Sequence, residues 1–272
     1  MMQQGHGGGE LRHLSREALV RLAHLAEHAE RWEDMVRFVK LLAQKAQHDK
    51  QELSVEERNL LSVAFKQRVG ALRQSWRTLT AIAHNTFDVA PPHAGMNMVK
   101  ELQGEELSDY IRQLETELET ACAEALTLLR ETLLQQAGAP ESRVFCYKIM
   151  GDYYRYLAEF TRNEHRQKAS AEALKAYSEA QTIAEELPPT NTLRLGLALN
   201  LSVFYHEIVQ DYKRAKEIAQ VALDGANSEI DQIQASEDYR DASLILQLIK
   251  DNLQLWITEE EEQLEHVQMM ED

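Results

Sequence analysis

The chain has 272 residues and a net charge of −16, from 29 basic against 45 acidic side chains. So negative a field argues against general binding to nucleic acid or to an anionic membrane. No apolar run is long enough to span a bilayer, and the polar N-terminus carries no evident signal peptide.

In chain order, residues 1–14 are Gly-rich and polar and are expected to be a disordered lead-in. From Ser15 the apolar residues take helical spacing. Leu19, Leu22, Leu25, Ala26 and Ala29 form one stripe, and Trp32, Met35, Phe38, Val39 and Leu42 the next. Ser54 opens a capping box with Glu57, and nothing but Gly70 interrupts the helical pattern from there to Asn85. The stretch 86–104 holds two prolines and two glycines and reads as the longest loop. A second long helix is expected over 105–136, stopped by Gly138 and Pro140. Shorter helices follow, with breaks near Asn163, Pro188–Pro189, Gln210–Asp211 and Gly225–Ser228. The total is about nine helices and no strand, an all-α protein. Residues 259–272 begin with Glu259–Glu262 and read as an acidic flexible tail. Cys122 and Cys146 form no metal or redox pattern. They read as buried thiols of the cytosol or nucleus.

Two stretches carry the small-residue and aromatic spacing of a tetratricopeptide helical hairpin. One is Gly151-x-x-Tyr154 with Ala173-x-x-x-Tyr177-x-x-Ala180; the other is Tyr205 with Ala215, Ala219 and Ala222. They predict stacked helix pairs, and keep open a scaffold that binds unphosphorylated peptides. His24-Leu-Ala-Glu27-His28 matches the HxxEH zinc motif, but it has no clear third ligand and reads better as a solvated helical face. There is no P-loop, no GxGxxG and no GxSxG, so neither catalysis nor a cofactor or metal is expected.

The clearer signal is a set of helical faces that mix cationic, amide and apolar groups. Lys66 and Arg73 are two turns apart on one face. Lys148, Asp152 and Arg155 share another, beside Tyr156. Asn200, Val203 and Glu207 share a third, flanked by Leu199, and Ile245, Leu248, Asn252 and Trp256 line the last helix. Each has a plain reading as surface charge, core stripe or cap.

Taken together, the segments that carry them resemble the 14-3-3 proteins. The segments are ERNLLSVAFKQRVGALRQSWR (57–77), RVFCYKIMGDYYRYLAE (143–159), LRLGLALNLSVFYHEI (193–208) and DASLILQLIKDNLQLW (241–256). LAEHAERWEDM (25–35) resembles the dimerisation segment of that family. The resemblance spans residues 15–258. It implies a single cup-shaped domain of nine antiparallel helices that acts as a non-catalytic, dimeric phosphopeptide-binding adaptor. On it, Lys66, Arg73, Arg155 and the Tyr156 hydroxyl hold phosphate, and Asn200 and Asn252 bond the peptide backbone. Lys148 and Glu207 line the polar side with Trp256 nearby, Asp152 orients the cations, and Leu199, Val203, Ile245 and Leu248 form an apolar wall. Residues 15–48 and about 105–120 would form the dimer region through Leu25, Ala29, Arg31, Asp34, Tyr110 and Glu117, in a homodimer or a heterodimer with a related chain. The usual lysine partner of Asp34 is replaced here by Gln113, so one ion pair between subunits is expected to be absent. The 86–104 loop is longer than usual. Ser75 matches a serine whose phosphorylation opens the dimer in some members.

Overall fold

The computed structural model describes residues 10–84, 105–233 and 237–271. The long loop expected at 86–104 lies outside them. Nine α-helices and no strand occur among the described residues. They are α1 (Arg16–His28), α2 (Trp32–His48), α3 (Val55–Ala83), α4 (Glu105–Leu128), α5 (Pro140–Phe160), α6 (Asn163–Ala184), α7 (Thr192–Phe204), α8 (Tyr212–Asn227) and α9 (Glu237–Glu271). Single π-turns extend α4 over Leu129–Leu133 and α7 over Tyr205–Val209. No helix among the described residues is long and apolar enough to cross a membrane.

The helix starts follow local chemistry. Ser54 accepts the Glu57 backbone N–H at 3.2 Å, and the Glu57 carboxylate accepts the Ser54 N–H at 2.8 Å, the reciprocal capping box. Ser15, Asn191 and Asp211 cap α1, α7 and α8 in the same way with one side chain each. Pro140 stands in the first turn of α5, where its missing N–H leaves no bond unmade. The first residue of α6 and the turn before α8 take a left-handed conformation, which Asn163 (φ 51°) and Gln210 (φ 61°) adopt.

The chain divides into two compact units, residues 1–136 and 137–272. In the first, α2 packs on α1 and α3, and α3 packs on α4. Its core is built from Leu19, Met35, Val39, Leu42, Leu61, Phe65 and Leu118, all essentially without exposure. The α1 stripe splits: Leu19 and Ala26 are buried, while Leu25 and Ala29 face outward. In the second unit, α5 packs extensively on α6, and α7, α8 and α9 pack on one another. One core cluster gathers Val144, Ala173, Tyr177, Leu201 and Phe204; another gathers Leu195, Ala215, Ala219, Ile249 and Trp256. The tetratricopeptide-like small residues are thus packing positions: a Cβ on Gly151 would stand 2.5 Å from the Tyr177 ring.

Two expectations about the ends change. Residues 10–13 form a 3-10 turn rather than disordered lead-in. Beyond Thr258, α9 continues to Glu271 where a flexible tail was expected, because the Glu run contains no breaker. Lys216 pairs with Glu260, and His206 Nε2 stands 3.7 Å from Glu259, so the run is also held from the side.

Candidate functional site: a cationic cluster on an apolar wall

In the second unit, α5 places Lys148, Asp152 and Arg155 on one face, as their spacing predicts. Asp152 is 6% exposed and receives three donors from three helices. Its Oδ2 accepts Lys148 Nζ at 3.1 Å, and its Oδ1 accepts the Tyr177 hydroxyl from α6 and Asn200 Nδ2 from α7, each at 2.7 Å. A buried carboxylate needs this saturation, since an unpaired one would carry its full desolvation cost.

Arg155 is 8% exposed. Its Nε donates a long hydrogen bond of 3.4 Å to the Tyr177 oxygen. Its guanidinium carbon lies 4.7 Å from the centre of the Tyr156 ring, a cation–π arrangement. Nη1 stands 4.0 Å from Glu207, whose side chain is half exposed. Among the described residues neither Nη nitrogen makes a hydrogen bond. Burial opposes the charge on Arg155, but Tyr177, Tyr156 and Asp152 outweigh it and raise its pKa. The Tyr177 phenol is uncharged at neutral pH, so Asp152 is the charged partner that counts there. Burial likewise pushes the Tyr177 phenol well above its ordinary value, which keeps it a donor.

The apolar wall adjoins this cluster within the same unit. Leu199, Val203 and Ile245 are half-buried and pack on the core around Trp256, while Leu248 is 48% exposed. Asn252 is half-buried on the same helix. Trp256 is 7% exposed and stacks on His206, with ring centres 4.6 Å apart and planes at 13°. Tyr212 meets His206 edge-on at 4.9 Å. Burial holds the His206 pKa below its ordinary value, although Glu259 and Glu207 pull the other way.

In the first unit, Lys66 and Arg73 occupy α3, Lys66 exposed and Arg73 half-buried. Ser75 is exposed, and its hydroxyl donates to the Ala71 carbonyl at 3.1 Å. Leu25 and Tyr110 expose 63% and 53% of their surface. The charged residues expected at the dimer contact have partners in their own chain: Arg31 pairs with Asp34, and Gln113 donates to Glu117 at 2.9 Å. A cavity of about 600 Å³ is lined by Arg31, Asp34, Arg68, Leu72, Thr116 and Glu117. The HxxEH histidine His24 meets Glu27 at 3.3 Å and Glu56 at 3.0 Å, and His28 is exposed.

Sequence reasoning missed Tyr177 and His206. Tyr177 sits in an alanine-rich face and reads as packing; only its hydroxyl, at the end of a buried ring, reveals a polar role. His206 adjoins Glu207, and its aromatic neighbours come from α8 and α9.

The 14-3-3 family model matches residues 22–257. 14-3-3-like protein B of Hordeum vulgare is 46% identical over 252 residues, 90% of each chain. 14-3-3-like protein GF14-E of Oryza sativa subsp. japonica shows the same identity and coverage. Checkpoint signal transducer rad24 of Schizosaccharomyces pombe is 46% identical over 248 residues, 91% of this chain and 87% of its own. A match of this extent displaces the tetratricopeptide-like scaffold, whose small-residue spacing belongs to the packing of these helices. The chain belongs to the 14-3-3 family of phosphopeptide-binding adaptors.

Proposed function

We propose that this chain binds peptides carrying phosphoserine or phosphothreonine, with Lys66, Arg73, Arg155 and Tyr156 holding the phosphate. The observation that carries the reading is Arg155. It is a buried cation, fixed through Nε and the Tyr156 ring, with both Nη nitrogens lacking a hydrogen bond among the described residues. Such a guanidinium suits an oxyanion, because its planar fork can bind two phosphate oxygens at once. A phosphate brings about −1.5 to −2 charges, which a serine hydroxyl cannot match. Asn200 and Asn252 would bond the peptide backbone, and Lys148, Glu207 and Trp256 would line its path. Leu199, Val203, Ile245 and Leu248 would take its apolar side chains. Acidic surface elsewhere on a chain of −16 would repel merely acidic proteins, so the pocket would select phosphate rather than charge alone.

The adaptor would act without catalysis, as a homodimer or a heterodimer with a related chain. The outward-facing Leu25, Ala29 and Tyr110 supply apolar surface for that contact. Arg31, Asp34 and Glu117 would contribute little beyond it, since exposed ion pairs are worth about 0–1 kcal/mol. Two sites in one dimer would favour clients with two phosphosites. Phosphorylation of Ser75 would add charge beside this region and weaken the dimer. The buried free thiols Cys122 and Cys146 accord with a cytosolic or nuclear protein.

The test is fluorescence anisotropy with a labelled Arg-Ser-x-phosphoSer-x-Pro peptide and its unphosphorylated twin. Micromolar or tighter binding of the phosphopeptide alone is expected; equal binding of both would refute the reading. Light scattering at micromolar concentration should give the dimer mass, and a monomer would defeat that part.

A further inference from the structure

We propose that Tyr177 is a positioning residue of the phosphate site: its hydroxyl is the link through which Asp152 on α5 holds Arg155 with its two Nη nitrogens presented to ligand. The inference rests on the phosphopeptide reading and concerns a residue that touches no ligand.

Asp152 and Arg155 are three residues apart on one helix and both are buried, yet no direct ion pair joins them. Lys148 takes Asp152 Oδ2, and Asn200 shares Oδ1 with the Tyr177 hydroxyl. The same hydroxyl donates to the carboxylate at 2.7 Å and accepts from Arg155 Nε at 3.4 Å. It therefore stands between the two charges as a donor to one and an acceptor from the other, and each bond polarises the next. This arrangement has a consequence for binding. A direct bidentate Asp–Arg pair would engage at least one Nη nitrogen; the relay engages Nε alone and leaves both Nη nitrogens for two phosphate oxygens.

The ring is placed with little freedom. Tyr177 has no exposed surface, and its ring lies so close to Gly151 that a Cβ there would be 2.5 Å away. Phe204 packs against it with ring centres 5.6 Å apart. The glycine one residue before Asp152 thus lets an α6 phenol reach the carboxylate, and α7 closes the other side with Phe204 and Asn200. Phenylalanine would fill the same space and lose only the oxygen.

Tyr177→Phe separates the relay from packing. The phosphopeptide should bind about tenfold more weakly, the scale of one hydrogen bond to a charged group. Binding of the unphosphorylated twin should not change. The same substitution made in an Arg155→Lys background should cost less than about twofold, because lysine has no Nε–H to hold. An equal loss in both backgrounds, or no loss in either, would overturn the proposal. The side-chain Nε–H resonance of Arg155, assigned by its absence in Arg155→Lys, gives a second readout on the unmodified tyrosine. It should exchange with water more slowly than exposed arginines; exchange as fast as theirs would overturn the proposal even if Tyr177→Phe failed to fold. A wild-type protein that ignores phosphate would instead refute the binding reading, while that resonance would still decide the relay.

Discussion

Each of the two compact units holds a cluster of charges from several helices, and the two clusters differ in how closely carboxylates approach the arginine. In the first unit, Lys40 and Arg68 both pair with Glu124, and Arg68 Nε stands 2.9 Å from Glu33. Two cations meet two carboxylates across α2, α3 and α4, and nothing is left over. In the second, Lys148 pairs with the buried Asp152, while Arg155 meets a carboxylate only at Glu207, 4.0 Å away on a side chain 47% exposed. The first arrangement joins helices. The second holds the Arg155 guanidinium at low exposure, where the field is screened least, with no carboxylate in close contact, and so is suited to bind an anion. Burial and cationic residues are common to both; the distance of the carboxylates from the arginine distinguishes the cluster proposed to hold phosphate.

That contrast is broken most severely at Arg155. Arg155→Ala should weaken phosphopeptide binding about 100-fold, as expected for a charge-assisted pair of roughly 2.7 kcal/mol, and leave the unphosphorylated twin unchanged. Paired titrations of both peptides check this. Gly151→Ala should lower stability by about 1–3 kcal/mol through overpacking on the Tyr177 ring, and weaken phosphopeptide binding as the phenol is displaced. Chemical denaturation and the same titrations measure the two effects.

The neutral cluster should respond the opposite way. Glu124→Gln should leave phosphopeptide affinity within about twofold yet cost about 1 kcal/mol of stability at neutral pH. Burial pushes the Glu124 pKa up, but Lys40 and Arg68 outweigh it and hold it below 4.5. Its contribution is therefore complete above pH 4.5 and is lost as the pH falls through the lowered folded value. Denaturation of wild type and variant should converge in acid.

The smallest effect separates two histidines. The hydrogen bond to Glu56 is the main cause that raises the His24 pKa above 6.5, whereas burial lowers that of His206. His24 thus stabilises below pH 6.5, and that contribution is lost as the pH rises through its folded value. His206 has no such cost above pH 6.5 and destabilises as the pH falls below it. An NMR titration should place their midpoints on opposite sides of 6.5.

Much of this was legible in the sequence. Ser54 and Glu57 announced a helix start, and the i, i+4, i+7 spacing of Lys148, Asp152 and Arg155 placed them on one face. Local rules suffice for such features because all the interacting groups lie within two turns. Tyr177 was illegible as a polar residue, since its partners are 22 and 25 residues away in sequence and belong to another helix. The stacking of His206 on Trp256 is hidden for the same reason. The continuation of α9 was misread because an acidic run has a solvated look whatever its backbone does. The boundary near Gly138 and Pro140 was seen as a helix stop, but no local signal marks it as the division between two compact units.

The most direct test of the central claim is a crystal structure with a bound phosphoserine peptide. Phosphate oxygens should lie within hydrogen-bonding distance of both Nη nitrogens of Arg155, with Nε still on Tyr177. Peptide bound with its phosphate away from Arg155, or Arg155 turned onto Asp152 or Glu207 instead, would contradict it.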